Sequence, residues 1–125
     1  MLRECHRILK RGGRIAGFTI HTPAGLSPAD REAAAELGPI RVLGFESAEE
    51  LMRGVGFTVC EWADVTELFR KTCTALLETR EQFADDLRAA EGDDVFEEEQ
   101  AKKQRYLKGA EDGLLLRSFH IAVKS

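Results

Sequence analysis

Arg3 to Thr22 reads RECHRILKRGGRIAGFTIHT, and this stretch decides the fold. Leu2, Cys5 and Leu9 recur at three- and four-residue spacing with Ile8 beside them, while Arg3, Glu4, Arg7 and Lys10 fall largely on the other side. That is an amphipathic helix. Arg7, Lys10 and Arg11 suit the negative end of its dipole. Gly12 is expected to supply a left-handed C-cap and Gly13 a tight reversal. Ile15 to Ile20 then forms a nearly unbroken apolar run, which predicts a strand covered on both faces. Helix, glycine turn and buried strand make the second half of a βαβ unit, here opening the chain.

The sequence continues with a loop at His21-Thr22-Pro23-Ala24-Gly25. Ser27 as N-cap, Pro28 at the first helical position and Asp30 in the first turn start a helix that should stop at Gly38-Pro39. Residues 40 to 46 read as a short extended connection. Ser47-Ala48-Glu49-Glu50 is a capping box, opening a short helix that buries Leu51 and Val55 and ends at Gly56. Phe57 to Ala63 alternates as a strand, with Phe57, Val59 and Glu61 on one face. Thr66 reads as the N-cap of a helix over about 67–90, striped by Phe69, Cys73, Leu76, Arg80, Phe83 and Leu87. Between Glu81 and Glu99 nine acids face one base, Arg88, which predicts a solvated face with a turn at Gly92. A second, surface helix is expected over about 95–110. Leu114 to Val123 is a strongly apolar final strand.

The 125 residues fit one domain. A net charge of −4 gives no general attraction to nucleic acid or to an anionic membrane. No run approaches the ~18 apolar residues of a membrane span, and no apolar stretch with a cleavage site marks a secretory signal. The odd set Cys5, Cys60 and Cys73 reads as reduced thiols in a cytoplasmic protein. No Cys or His spacing resembles a zinc site. Cys60 and Cys73 are expected on buried faces, so no thiol is placed as a nucleophile.

Taken in order, these elements resemble the C-terminal half of class I S-adenosylmethionine-dependent methyltransferases. Arg3 to Arg14 is similar to that family's E-x-x-R-hydrophobic-L-K-P-G-G-R segment before its fifth strand, with Arg11 in place of proline. Ser47 to Phe57 resembles its S-x-E-E-L…G-F helix before the sixth strand. The final strand resembles the seventh, which inserts antiparallel between the fifth and sixth. The implied fold is α/β: the C-terminal part of a Rossmann-like methyltransferase sheet, with three strands, the last antiparallel and central. Residues 66–113 would be a lid-like helical insertion within a single domain, 1–125. The implied activity is methyl transfer from S-adenosylmethionine to a small molecule. The family holds that cofactor mainly in its N-terminal half, through a glycine-rich turn after the first strand. Gly12-Gly13 and Gly54-Val55-Gly56 both precede strands, so no cofactor-binding residue is assigned and the chain alone is expected not to bind it. Met1 falls inside a family helix, which suggests a truncated start.

Ligands in open α/β sheets bind beyond the carboxyl ends of the strands, which places His21 and Thr22 near a substrate. His21 reads either as an orienting group or base, or as a loop histidine bonded to backbone. Tyr106 and Arg70 are placed to line a lid or simply to pack, and Trp62 to pack at a strand end. The strand at 15–21 is expected to present an open apolar edge, suited to a homodimer or to the missing N-terminal half.

Overall fold

The computed structural model describes residues 1–39 and 42–125, with the backbone alone for residues 43 and 45–47. Helix α1 (Leu2–Ile8) ends before the glycines, and its C-cap is Leu9 in extended conformation. Gly12 does adopt the left-handed conformation (φ +78°), but in the turn beyond the helix. Gly13 N–H closes that turn on the Lys10 carbonyl. The glycines therefore reverse the chain into β1 (Arg14–Thr22) without capping α1. The cap comes from the far end of the sequence. Lys124 Nζ donates to the carbonyls of His6 (2.6 Å) and Leu9 (2.8 Å), placing a cation on the helix C-terminus.

Helix α2 (Pro28–Leu37) begins as the sequence predicts, with Ser27 Oγ accepting from Asp30 N–H and proline in the first turn. A two-residue strand, β2 (Leu43–Gly44), follows. Helix α3 (Phe45–Val55) has Gly44 as N-cap, so Ser47 lies inside the helix and is not its cap; the Ser47 side chain is outside the described residues. Ala48 and Met52 are buried in this helix, whereas Leu51 is half exposed. Gly56 ends it in the left-handed region (φ +107°).

Beyond β3 (Phe57–Asp64), the expected helix over 67–90 is two helices: α4 (Thr66–Gln82) and α5 (Ala84–Glu91), broken at Phe83. Thr66 is the first helical residue, not the N-cap, which is Val65. Phe69 and Cys73 are buried as the stripe predicts, while Leu76 and Phe83 are exposed. Helix α6 (Asp93–Glu111) is not confined to the surface: Phe96 is 1% exposed and Gln100, Gly109 and Ala110 are buried. Arg88 pairs with Asp93 and Glu97, and Arg80 with Glu91, which ties part of the acidic run together. Strand β4 (Leu116–Lys124) closes the chain.

The sheet order is β2-β1-β4-β3. The last strand is antiparallel to both neighbours and central, as expected. The sheet has four strands and not three, because β2 adds to β1 in parallel through His21↔Leu43 and Thr22↔Gly44. Two residues carry no periodicity from which a strand can be read. Strand β3 shifts register between Val59 and Glu61, which face Ala122 and Ile121 in turn. Adjacent β4 residues point to opposite faces, so this bulge at Cys60 moves Glu61 off the face of Phe57 and Val59.

Helices α1 and α3 cover one face of the sheet, around Met52, Phe57 and Ala122. On the other face Phe69, Cys73 and Ala110 of α4 and α6 meet Ile20, with Tyr106 and Leu107. That cover reaches only one end of β1. Ala16 is exposed and Phe18 is 55% exposed, so β1 alternates instead of being buried on both faces. The apolar run is real, but within this chain its second face is largely open.

Candidate functional site

The carboxyl end of β1 gathers polar side chains inside an apolar frame. His21 is 2% exposed, and its Nε2 lies 2.7 Å from Ser118 Oγ on the neighbouring strand. Its Nδ1 lies 3.2 Å from the Thr22 carbonyl, which can only accept. Nδ1 therefore carries the ring proton, and Nε2 accepts the Ser118 hydroxyl proton. Both ring nitrogens are engaged, so the imidazole is held in one tautomer and orientation.

Trp62 separates this pair from a second histidine. It meets His21 edge-on (centroids 6.1 Å apart, 67°) and stacks on His120 (5.4 Å, 24°). His120 is 5% exposed, and its Nδ1 has no hydrogen-bond partner among the described residues. Burial pushes its pKa below the ordinary 6.5, which keeps the ring neutral. Asp64, at the end of β3, accepts from both the hydroxyl (2.6 Å) and the backbone N–H (2.8 Å) of Thr66. These bonds hold its carboxyl below the usual carboxylate range against the opposing effect of burial. Thr66 Oγ1 in turn accepts from Arg117 N–H (3.0 Å), so the start of α4 is pinned to the sheet beside the site.

The residues singled out from sequence divide by face. His21 and Thr22 lie where β1 meets β2. Tyr106 packs against Phe69 (6.5 Å) in the cluster that receives Ile20, and successive strand side chains alternate, so Tyr106 sits beneath the face opposite His21. Arg70 pairs with Glu67 (3.0 Å) beside the groove between α4 and α6, and its Nε is buried with no partner among the described residues. Trp62 packs at a strand end as expected. Cys60, expected on a buried face, is exposed at the bulge, whereas Cys73 is buried and its thiol is pushed up by burial. Ser118, His120 and Asp64 were not singled out from sequence. A signal existed for two of them: Ser118 and His120 are two apart in an apolar strand, hence on one face.

Among the described residues no three His, Cys, Asp or Glu side chains are grouped to hold a metal ion. No helix among them is long and apolar enough to cross a membrane. A cavity of about 370 Å³ lies along the open side of β1, lined by Leu2, Cys5, Ile15, Phe18, Met52 and His120 among others.

No family model matches the sequence, and no curated protein matches it. Solved structures do. A putative sarcosine dimethylglycine methyltransferase from Galdieria sulphuraria superposes with a TM-score of 0.78 at 13% identity, over 99% of this chain and 46% of its own. Phosphoethanolamine N-methyltransferase 2 of Haemonchus contortus, solved with phosphomonomethylethanolamine and S-adenosylhomocysteine, gives 0.70 at 21%, over 98% and 29%. The cyclopropane synthase MmaA2 from Mycobacterium tuberculosis gives 0.72 at 16%, over 98% and 48%. The chain spans about half or less of these structures. At such identities the likeness establishes the fold, the C-terminal part of a Rossmann-like methyltransferase sheet.

Proposed function

We propose that this chain forms the substrate-side half of a methyltransferase that moves a methyl group from S-adenosylmethionine to a small molecule. The observation that carries this reading is the oriented His21–Ser118 pair at the carboxyl end of β1, where open α/β sheets take their ligands. The Haemonchus contortus structure, with its small amine phosphate and S-adenosylhomocysteine, supports both the cofactor and the class of acceptor. In that role the His21–Ser118 pair fixes the end of β1, and Thr22, on the opposite face, meets the acceptor beneath the helical section over 66–113. Three free cysteines suit a reducing cytoplasm.

The residues of this chain do not fit the cofactor by themselves. Gly12-Gly13 and Gly54–Gly56 precede β1 and β3 instead of following a strand, and the Asp64 carboxylate is already taken up by Thr66. Titration calorimetry of S-adenosylmethionine into the 125-residue chain is expected to show no stoichiometric micromolar binding; a one-to-one micromolar isotherm overturns this division of labour. The activity is tested by reading the coding DNA upstream of Met1. An in-frame strand and glycine-rich turn, expressed together with this chain, should transfer radiolabelled methyl groups to small amines or alcohols, and His21→Ala should lower the rate. A stop codon at that point counts against the reading. The open side of β1 favours a second reading, a non-catalytic binding or dimerisation module of the same fold.

A further inference from the structure

Among the described residues Arg70, Arg80, Arg88 and Arg117 are the half-buried arginines, and all but the last have a carboxylate partner. Arg70 pairs with Glu67, Arg80 with Glu91, and Arg88 with Asp93 and Glu97. The Arg117 guanidinium lies instead over two aromatic rings, 4.2 Å from the centroid of Phe18 and 5.1 Å from that of Phe69. The electron-rich face of a ring attracts a cation but offers its N–H groups no lone pair. Among the described residues the donors of this guanidinium are unbonded, and none of its nitrogens is sealed from solvent as Arg70 Nε is. A charge drawn partly out of water without a counter-charge is unfavourable, and a ligand that supplies one relieves the cost.

The place of Arg117 is fixed by its neighbours within this chain. Strand β4 is paired along both sides, by β1 and by β3. Arg117 N–H donates to Thr66 Oγ1 (3.0 Å), and the Arg117 carbonyl accepts from Val65 N–H (2.8 Å). Arg117 stands opposite Ile20, and the adjacent Ser118 stands opposite Asp64, so Arg117 lies between the carboxyl ends of β1 and β3. That is the end at which open α/β sheets take their ligands. Being opposite Ile20, it is also on the face that α4 and α6 cover, with Thr22 and Tyr106. The acids of those helices do not compensate it: Glu67 is held by Arg70 (3.0 Å) and Glu99 by Lys103 (2.8 Å). Arg117 and Lys103 both act on the Cys73 thiol against the rise that burial causes, so their positive charge is felt beneath the helices.

We propose that Arg117 binds an oxyanion, a carboxylate or a phosphate monoester, carried by the small molecule that this face receives. Its planar fork matches two oxygens of either group. The rings of Phe18 and Phe69 already hold the guanidinium, so less side-chain freedom is lost when the anion arrives. In the methyltransferase reading, on which this assignment of the acceptor rests, the acceptor is then an anionic small molecule. Oxyanion binding needs neither cofactor nor methyl transfer, so either can fail alone.

The test is nuclear magnetic resonance of the arginine Nε–H groups in the isotope-labelled 125-residue chain, titrated with methyl phosphate, with acetate and, as a control, with methylammonium. The exposed Arg3, Arg31 and Arg105 are internal references. The Arg117 signal should shift saturably with at least one anion, at a concentration about tenfold or more below any response of the references, and should ignore methylammonium. Saturation by methyl phosphate alone identifies a phosphate ligand, by acetate alone a carboxylate, and by both a general oxyanion fork. Arg117→Lys keeps the charge but loses the fork and should bind more weakly, read from the Thr22 and Phe69 amides. Arg117→Met keeps the apolar stem and should not bind. Circular dichroism melting checks that both variants fold, and the wild-type titration decides by itself should Arg117→Met fail to do so. An Arg117 signal that stays still, or moves only in step with the references, overturns the proposal, and so does full binding by either variant.

Discussion

Ser118 shows how much one hydroxyl carries. It is 2% exposed and gives its proton to a histidine equally removed from water. Ser118→Ala leaves Nε2 of His21 without that donor, and a buried polar atom deprived of its partner costs about 1–3 kcal/mol. Urea unfolding should show a stability lower by that amount, seen as a lower midpoint at an unchanged slope. His120 makes the opposite point. Its folded pKa lies below its unfolded value of 6.5, so the unfolded chain binds the proton more readily. Its contribution is complete above pH 6.5 and is lost as the pH falls below that value toward the depressed folded pKa. His120→Gln should flatten that part of the stability–pH curve, measured by melting at a series of pH values. From sequence these strand residues look like interruptions in an apolar run. The hydrogen bond joins positions 97 apart, which local patterning cannot reveal.

Among the elements, the helix starts and stops that depend on local chemistry were legible. Ser27-Pro28 opens α2, and Gly56 closes α3, because each acts within one turn. The break at Phe83 and the bulge at Cys60 were not legible. A bulge inserts one residue without changing composition, and a break that keeps both halves helical keeps the periodicity. The depth of α6 was also hidden, because its burial rests on small residues. Gly109 lies against Leu115, which is fully buried, and a Cβ at 109 would collide with Leu115 Cδ1 and stand 2.7 Å from its Cγ. Alanine favours a helix interior over glycine by about 1 kcal/mol. Gly109→Ala should nevertheless destabilise, since Leu115 has no room to retreat and overpacking costs about 1–3 kcal/mol. A fall in melting temperature identifies packing as the winner; a rise would show that propensity won.

At the scale of the molecule, the order of elements could be read in advance, because hydrophobic periodicity and turn residues report it directly, whereas the central antiparallel place of the last strand was implied by the family resemblance. The open face of β1 could not be read. An apolar run has the same composition whether this chain, a second copy or another polypeptide covers it. The last consequence concerns time. The carbonyls that end α1 are bonded by Lys124, across 118 positions from His6, and the turn after α1 is bonded to Lys124 N–H and C=O. During synthesis α1 therefore waits, uncapped, until Lys124 has followed it. Contacts of such sequence separation form late and slowly. The nascent chain must keep this helix and the strand after it in reserve until the ribosome delivers the lysine that locks them.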